Sequence, residues 1–360
     1  MCNELRIANH LADAFRALGA AEVVLDDTDT EPGRPNLYAF FHSPRADAPW
    51  YAVDTHTDTV AIKGMPSPFG GELTADGKLH GRGACDTKAT FAVLLTLLEE
   101  ARQIGADLAC NLLICGSVGE ETGRLGAAVV QRFLLRRKMV IDELIVAEPT
   151  TCKPVHGHKG HVRLKFTLEG EAAHSSVPHL GSNAILAASH LIEGLADEHR
   201  RLQEIEPSAL GHATLTPTLM GGGSGINIVP DSASVSIDRR VVAGEKASDV
   251  RAQLERLAHE RCKSCRHCKS LAVADVIPEG EAFFESRESA LVQKLAAWTG
   301  RAPLTETYGT NAGLPYGPQV ARSVVVFGPG NIAQAHQADE WITLEELALH
   351  KTVMRRWLFT

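Results

Sequence analysis

Apolar and polar positions follow two rhythms along this chain. Leu5, Ala8, Leu11, Ala12, Phe15 and Leu18 recur at helical spacing, and Gly19 follows as a stop. Short apolar runs at 22–25, 36–41 and 50–55 read as strands. Further on, Ala89, Ala92, Val93, Leu97 and Leu98 share a helical face, with Asp86 at the expected N-cap. Residues 112–117 predict a strand, 125–135 a helix and 144–147 another strand. Strands alternating with helices predict an α/β domain built on a mixed, largely parallel sheet.

The rhythm changes near Lys159. Residues 162–168 alternate as in a half-exposed strand. Helical patterns follow at 183–196 and 247–262, with a strand at 235–239 between them. Gly221-Gly222-Gly223-Ser224-Gly225 reads as a flexible turn. These features predict an α+β domain at 159–270, inserted into a first domain made of 1–158 and 271–360. The first domain resumes with a helix at 289–298, a strand at 323–327 and a closing helix at 344–357.

Composition narrows the function. The 360 residues carry a formal net charge of −8, which disfavours a nucleic-acid partner. A 44% hydrophobic share suits a globular protein with a real core, and there is no apolar run long enough for a membrane span. The first residues lack the charged leader and apolar stretch of a secretory signal, so the cytoplasm is the expected compartment. Eight cysteines are too few for a disulfide scaffold, and reduced thiols are expected.

Three of the strands run into polar residues: His56, Glu120-Glu121 and Glu148. In open α/β sheets the C-terminal strand edge is where ligands bind. Each residue alone has an ordinary reading, as a cap, a structural histidine or a solvated carboxylate. Their shared edge argues for a site. Asp86, after a Gly-rich loop, and the late His336 complete a set of imidazole and carboxylate donors suited to hydrolytic Zn²⁺, or to Mn²⁺ or Co²⁺. Two cations about 3.5–4 Å apart need a bridging carboxylate, and Asp86 can bridge. His56 and Glu148 would complete one cation, Glu121 and His336 the other. Glu120 is then the spare carboxylate, free to take a proton from water and pass it to a leaving amine. Asp58, two residues after His56, is placed to orient that imidazole.

His56-Thr57-Asp58-Thr59-Val60, Gly81-Arg82-Gly83-Ala84-Cys85-Asp86-Thr87-Lys88, Glu120-Glu121, Glu148-Pro149-Thr150 and His336 resemble the dinuclear zinc amidohydrolase and metallopeptidase family of acetylornithine deacetylase, succinyl-diaminopimelate desuccinylase, aminoacylase-1 and glutamate carboxypeptidase. The resemblance covers nearly the whole chain, in the family's order. It implies a zinc-exopeptidase-like catalytic domain, an inserted lid and dimerisation domain, two Zn²⁺ ions, a homodimer and a cis peptide after Asp86. It also implies a small N-acyl amino acid as substrate. The motif wording is nearest to the acetylornithine deacetylases, which release acetate and ornithine. A desuccinylase, a dipeptidase or carboxypeptidase, and a non-hydrolytic amino-acid-binding homologue are the rivals.

The resemblance extends to the inserted domain. His174, in Ala172-Ala173-His174-Ser175-Ser176, matches the family's lid histidine, which steadies the oxyanion. Asn227 matches a second lid residue facing the substrate. Arg240 matches the arginine that clamps the α-carboxylate, with Arg239 as the alternative. Asn311 stands in a substrate loop where the family usually carries Asp. Ala89-Thr90 replaces the usual glycines, and the chain begins late, without the family's first helix. Cys262, Cys265 and Cys268, with His259 and His267 nearby, permit a zinc or iron–sulfur reading. The absence of a fourth cysteine favours free thiols. Cys85 is expected to pack rather than react.

Overall fold

The computed structural model describes residues 4–62, 64–313, 316–317 and 319–360. The chain divides into two compact units. The first holds the chain up to Gly157 together with Phe284–Thr305 and Thr310–Thr360. The second holds His158–Phe283 and Glu306–Gly309.

The first unit is organised by a mixed sheet. Glu22–Asp26 pairs antiparallel with Asn36–Phe41, which pairs antiparallel with Asn111–Ser117. From there the ladder is parallel, through Trp50–His56 and Ile141–Val146 to Ala321–Val326. Asn36–Phe41 is buried at every residue, as expected of a strand covered on both faces. Leu37, Ala39 and Phe41 join the larger core with Leu11, Phe15, Leu94, Leu97, Leu295, Val353 and Trp357 from four helices. On the opposite face Tyr38 stacks on Phe133 of the Leu125–Arg136 helix, ring centroids 3.7 Å apart. Each such fully buried side chain contributes roughly 1.5–3 kcal/mol of transfer free energy.

Register sets the position of the site. His56 lies opposite Ser117, and Asp54 lies opposite Val146, so the parallel strands end level with one another. Val326 is likewise in register with Val146. The segments after these strand ends therefore leave the sheet at one edge.

The helix after Asp86 differs from expectation at its start. It spans Lys88–Ile104 and its N-cap is Thr87, not Asp86. The peptide bond between Asp86 and Thr87 is cis. The helix ends at Gly105 in a left-handed cap with φ 66°.

The second unit is a four-stranded antiparallel sheet in the order Thr214–Gly222, Ser232–Val241, Gly160–Glu169, Ser270–Asp275. Helices Ala184–Glu204 and Ala247–Ser264 cover one face through Leu191, Leu195 and Leu254 against Phe166, Val235 and Ile237. Two of these strands escaped the sequence reading. Pro217 and the glycines obscured Thr214–Gly222, an edge strand whose register shifts between Pro217 and Leu219, as proline requires. Ser270–Asp275 pairs with Gly160–Glu169 and carries this unit past residue 270 to Phe283.

The cysteine expectation is corrected here. Cys262 and Cys268 form a disulfide that ties the end of the Ala247–Ser264 helix to the segment before Ser270–Asp275, while Cys265 is free. Neither free thiols throughout nor a metal on all three sulfurs describes this loop. No helix among the described residues is long and apolar enough to cross a membrane.

Candidate metal centre

The parallel strand edge of the first unit gathers the side chains that the strand ends present. His56 is the last residue of Trp50–His56 and is buried. Its Nε2 lies 2.9 Å from Asp86 Oδ1. Asp86 Oδ2 lies 3.4 Å from His336 Nε2, which is itself 3.0 Å from Glu121 Oε2. The two oxygens of one carboxylate thus face two different imidazoles. Donor atoms of His56, Asp86 and Glu121 all lie within 4.8 Å of one another, and so do those of His56, Glu120 and Glu148.

Local backbone explains how the carboxylates arrive. After Asn111–Ser117 the chain turns at Gly119, φ 68°, into a short 3-10 turn over Glu120–Thr122. Asp58 accepts from the backbone N–H groups of Glu120 and Glu121, at 3.2 and 3.1 Å. The same carboxylate lies 3.3 Å from His56 Nδ1. Asp58 therefore fixes both the imidazole and the Glu120-Glu121 turn. Glu148 follows Ile141–Val146 and packs against Gly328, where a Cβ would meet the Glu148 carbonyl oxygen at 2.5 Å. Only glycine permits that approach. His336 adopts a left-handed φ of 65°, which a non-glycine residue holds only when its surroundings enforce it.

The electrostatics are those of crowded acids. Burial, reinforced by Glu120 and Asp86, pushes Glu148 well above the ordinary carboxylate range. Burial likewise raises Glu120, and Arg124, whose Nε donates to Glu120 Oε1 at 3.1 Å, pulls in the opposite direction. Burial opposes a charge on His56, but Asp58 and Asp86 overcome it and raise the imidazole well above its usual value. Asp86 and Glu121 lift His336 to about 10. Imidazole and carboxylate donors without a thiolate, buried at His56, Asp86 and Glu148, partly buried at Glu120 and Glu121 and exposed at His336, fit a divalent cation such as Zn²⁺, Co²⁺ or Mn²⁺. The nearby Cys85 does not compete: it is buried, its Sγ donates to the Asn331 carbonyl, and burial raises its pKa.

Asn311 is not where the sequence suggested. It is buried, and its Nδ2 donates to Asp54 Oδ2 at 2.9 Å and to Ser117 Oγ at 3.0 Å. It is an internal partner of Asp54, two residues behind His56, and its amide nitrogen is committed to those contacts rather than to a substrate.

His174, Asn227 and Arg240 belong to the second unit. His174 is exposed; the Ser176 backbone N–H donates to its Nδ1 at 3.2 Å, so Nε2 carries the proton. Exposed Asn227 accepts from the Ser175 N–H at 2.9 Å through its backbone carbonyl. Arg240 is half-buried and pairs with Asp238 at 2.8 Å. Arg239, the alternative, is buried, and its guanidinium is bound to Glu245.

The sequence reading assigned no role to Glu340, Arg82 or Lys88. Glu340 and Arg82 form a buried ion pair, Nη1 to Oε2 2.5 Å, beside the loop that bears Asp86. Lys88 Nζ donates to the Asp58 carbonyl at 3.1 Å. An arginine inside Gly81-Arg82-Gly83 and an acid four residues after His336 were the available signals.

Comparison with known proteins comes to the same place. The sequence model of peptidase family M20/M25/M40 matches residues 52–360. An acetylornithine deacetylase from Erwinia tasmaniensis is 32% identical, covering 93% of this chain and 85% of the relative. A probable succinyl-diaminopimelate desuccinylase from Staphylococcus epidermidis is 26% identical, covering 99% of this chain and 94% of the relative. Among solved structures, a tripeptidase from Staphylococcus aureus has the same fold, with TM-score 0.79 and 21% identity over 98% of this chain and 91% of its own.

Proposed function

This chain belongs to peptidase family M20/M25/M40 and is a metal-dependent enzyme that hydrolyses amide bonds, and from that premise we propose that it deacylates an N-acyl amino acid of the N²-acetylornithine type. The observation that carries the hydrolytic centre is the Asp86 carboxylate, with one oxygen toward His56 and the other toward His336; the acetylornithine-type substrate is supported by the 32% identical deacetylase. In this reading Asp86, His56 and Glu148 would hold one cation, and Asp86, Glu121 and His336 the other. Two divalent cations, when bound, polarise the scissile carbonyl and acidify a water.

The chain's own groups then do the proton work. Glu120 accepts the proton of the attacking water and delivers it to the departing nitrogen. Its burial, which raises its pKa, suits it to hold that proton. Asp58 keeps His56 and the Glu120-Glu121 turn in place. His174, protonated on Nε2, donates to the oxyanion that develops at the carbonyl. Arg240 binds the substrate carboxylate, its guanidinium oriented by Asp238. The first unit is the catalytic domain and the second the lid. We also read the second unit as the seat of a homodimer. The edge strand Thr214–Gly222 leaves Leu219 and Met220 exposed at 71% and 52%, and light scattering of the purified protein reads the oligomeric state.

The test is a substrate panel of N²-acetylornithine, N-succinyl-diaminopimelate, dipeptides and tripeptides. It is run on protein stripped by a chelator and on the same protein after Zn²⁺, Co²⁺ or Mn²⁺ is restored. Turnover that vanishes on stripping, returns with metal and is fastest on acetylornithine supports the reading. Faster turnover of the succinyl compound or of peptides moves the assignment to a desuccinylase or a peptidase.

A further inference from the structure

The loop before the Lys88–Ile104 helix closes around a single side chain. Glu340 is 1% exposed. Its Oε1 accepts from the backbone N–H groups of Cys85 and Asp86, at 2.9 and 3.0 Å. Its Oε2 accepts from the Gly83 N–H at 3.1 Å and from Arg82 Nη1 at 2.5 Å. The Arg82 guanidinium then reaches back, and Nη2 donates to the Gln337 carbonyl at 2.9 Å. The Gly81 N–H donates to the Glu340 carbonyl at 3.0 Å. Gly83 has φ 82°, and its N–H and those of Cys85 and Asp86 meet on the Glu340 carboxylate, while the Ala84 N–H between them donates to the Gly81 carbonyl. Neighbouring backbone N–H groups arranged in this way form an anion-binding nest, and the anion here is a side chain of the protein.

The nest and its anion belong to the two segments that carry Asp86 and His336. One Glu340 oxygen holds the backbone N–H of Asp86 itself. Arg82 holds the residue directly after His336. The ion pair therefore fixes Asp86 and His336 relative to each other without using either of their side chains. His56 and Glu148 are delivered by strands of the sheet and need no such clamp.

The geometry points to Glu340 as a positioning residue, with Arg82 as its partner, that preorganises the half of the metal centre built from Asp86, Glu121 and His336. This rests on the proposed ligand assignment above. Without a cation Asp86 and Glu121 meet through the His336 imidazole, and that arrangement persists only while the segments bearing Asp86 and His336 are held at their spacing. A carboxylate with four donors supplies that hold, and charge-assisted bonds of this kind are among the stronger ones. Outer residues that orient metal ligands commonly change metal affinity by about 10- to 100-fold when removed.

Glu340→Gln tests this. The amide keeps one acceptor oxygen for Cys85 and Asp86, but it sets an NH₂ group against the Gly83 N–H and the Arg82 guanidinium. Stripped protein is titrated with Co²⁺ and followed by its visible absorption, with circular dichroism as the check on folding. The expected result is that one equivalent weakens about tenfold or more, with a changed spectrum, while the other, which shares only Asp86 with it, weakens less. Arg82→Lys keeps the charge and loses the fork. It is expected to weaken the same equivalent to a smaller degree, and it serves if Glu340→Gln does not fold. Two equivalents bound as tightly as in the wild type in both variants would overturn the inference, and so would equal weakening of both equivalents. The ligand assignment fails separately, when wild-type protein takes up no Co²⁺ or when His336→Ala leaves both equivalents intact.

Discussion

Asn311→Asp should destabilise the first unit, and more so as pH rises. In the structure Asn311 Nδ2 donates to Asp54 Oδ2 at 2.9 Å and to Ser117 Oγ at 3.0 Å, all within a buried layer behind His56. The substitution replaces that donor with a second carboxyl oxygen facing the first. A lost hydrogen bond to a charged buried group costs about 1.5–3 kcal/mol. Two carboxyl groups at this separation keep one proton between them above the ordinary carboxylate range. Each pKa unit of that retention costs about 1.4 kcal/mol once the pH exceeds it. The folded variant then holds a proton that the unfolded chain has released, so stability falls as pH rises. We expect a loss of about 1.5–3 kcal/mol at pH 5, growing by about 1.4 kcal/mol for each pH unit above the pKa of the retained proton. Urea unfolding followed by tryptophan fluorescence is the assay, because all four tryptophans, Trp50, Trp298, Trp341 and Trp357, lie in this unit. The double variant Asp54→Asn with Asn311→Asp restores an amide–carboxylate pair and should recover most of the loss. Wild-type stability for Asn311→Asp at pH 8, or a loss that does not change with pH, would refute the reasoning.

Other expectations follow from the same geometry. Glu120→Gln should lower kcat by about 10²- to 10⁴-fold while metal content, measured by mass spectrometry of the digested protein, stays at the wild-type value; loss of metal would make Glu120 a ligand instead. His350 is fully buried, and burial alone lowers its pKa to about 3. Because the unfolded imidazole takes up its proton near pH 6.5 and the folded one does not, stability present above that pH is lost as the pH falls toward 3. Relative to His350→Leu, the wild type should lose about 3 kcal/mol more between pH 7.5 and pH 4, read by denaturation at both pH values; parallel losses would count against it. Stripping the metal should lower the unfolding temperature of the first unit. The stabilisation removed is about 4 kcal/mol when free metal had been a thousandfold above its dissociation constant; an unchanged melting curve would argue that the acid cluster does not hold a cation.

Much of this architecture is legible in the chain itself, and the parts that are not have specific causes. His56, Glu120, Glu121 and Glu148 could be read because each follows an apolar run, and parallel register brings such runs to one edge. Asp86 and His336 needed the motif, since nothing in their local pattern shows that loops bring them together. Asp86 was also misread as a helix cap, because a carboxylate before an apolar helix usually is one, whereas here it turns to His56 and Thr87 takes the cap position. The motif alone points Asn311 to the substrate, because a single sequence does not show that Asp54 is its partner. Glu340 went unnoticed because its partners are mostly backbone N–H groups, which carry no residue code. The Thr214–Gly222 strand was hidden by Pro217, and the link between Cys262 and Cys268 by the even spacing of three cysteines that made no pair preferable.

Asp86 would join two cations, one held with His56 and Glu148, the other with Glu121 and His336. Anomalous diffraction at the zinc edge, from crystals of zinc-loaded protein, tests it most directly. Two peaks about 3.5–4 Å apart, each beside one Asp86 oxygen, are expected. A single peak that Asp86 does not touch, or no peak among these residues, would contradict it.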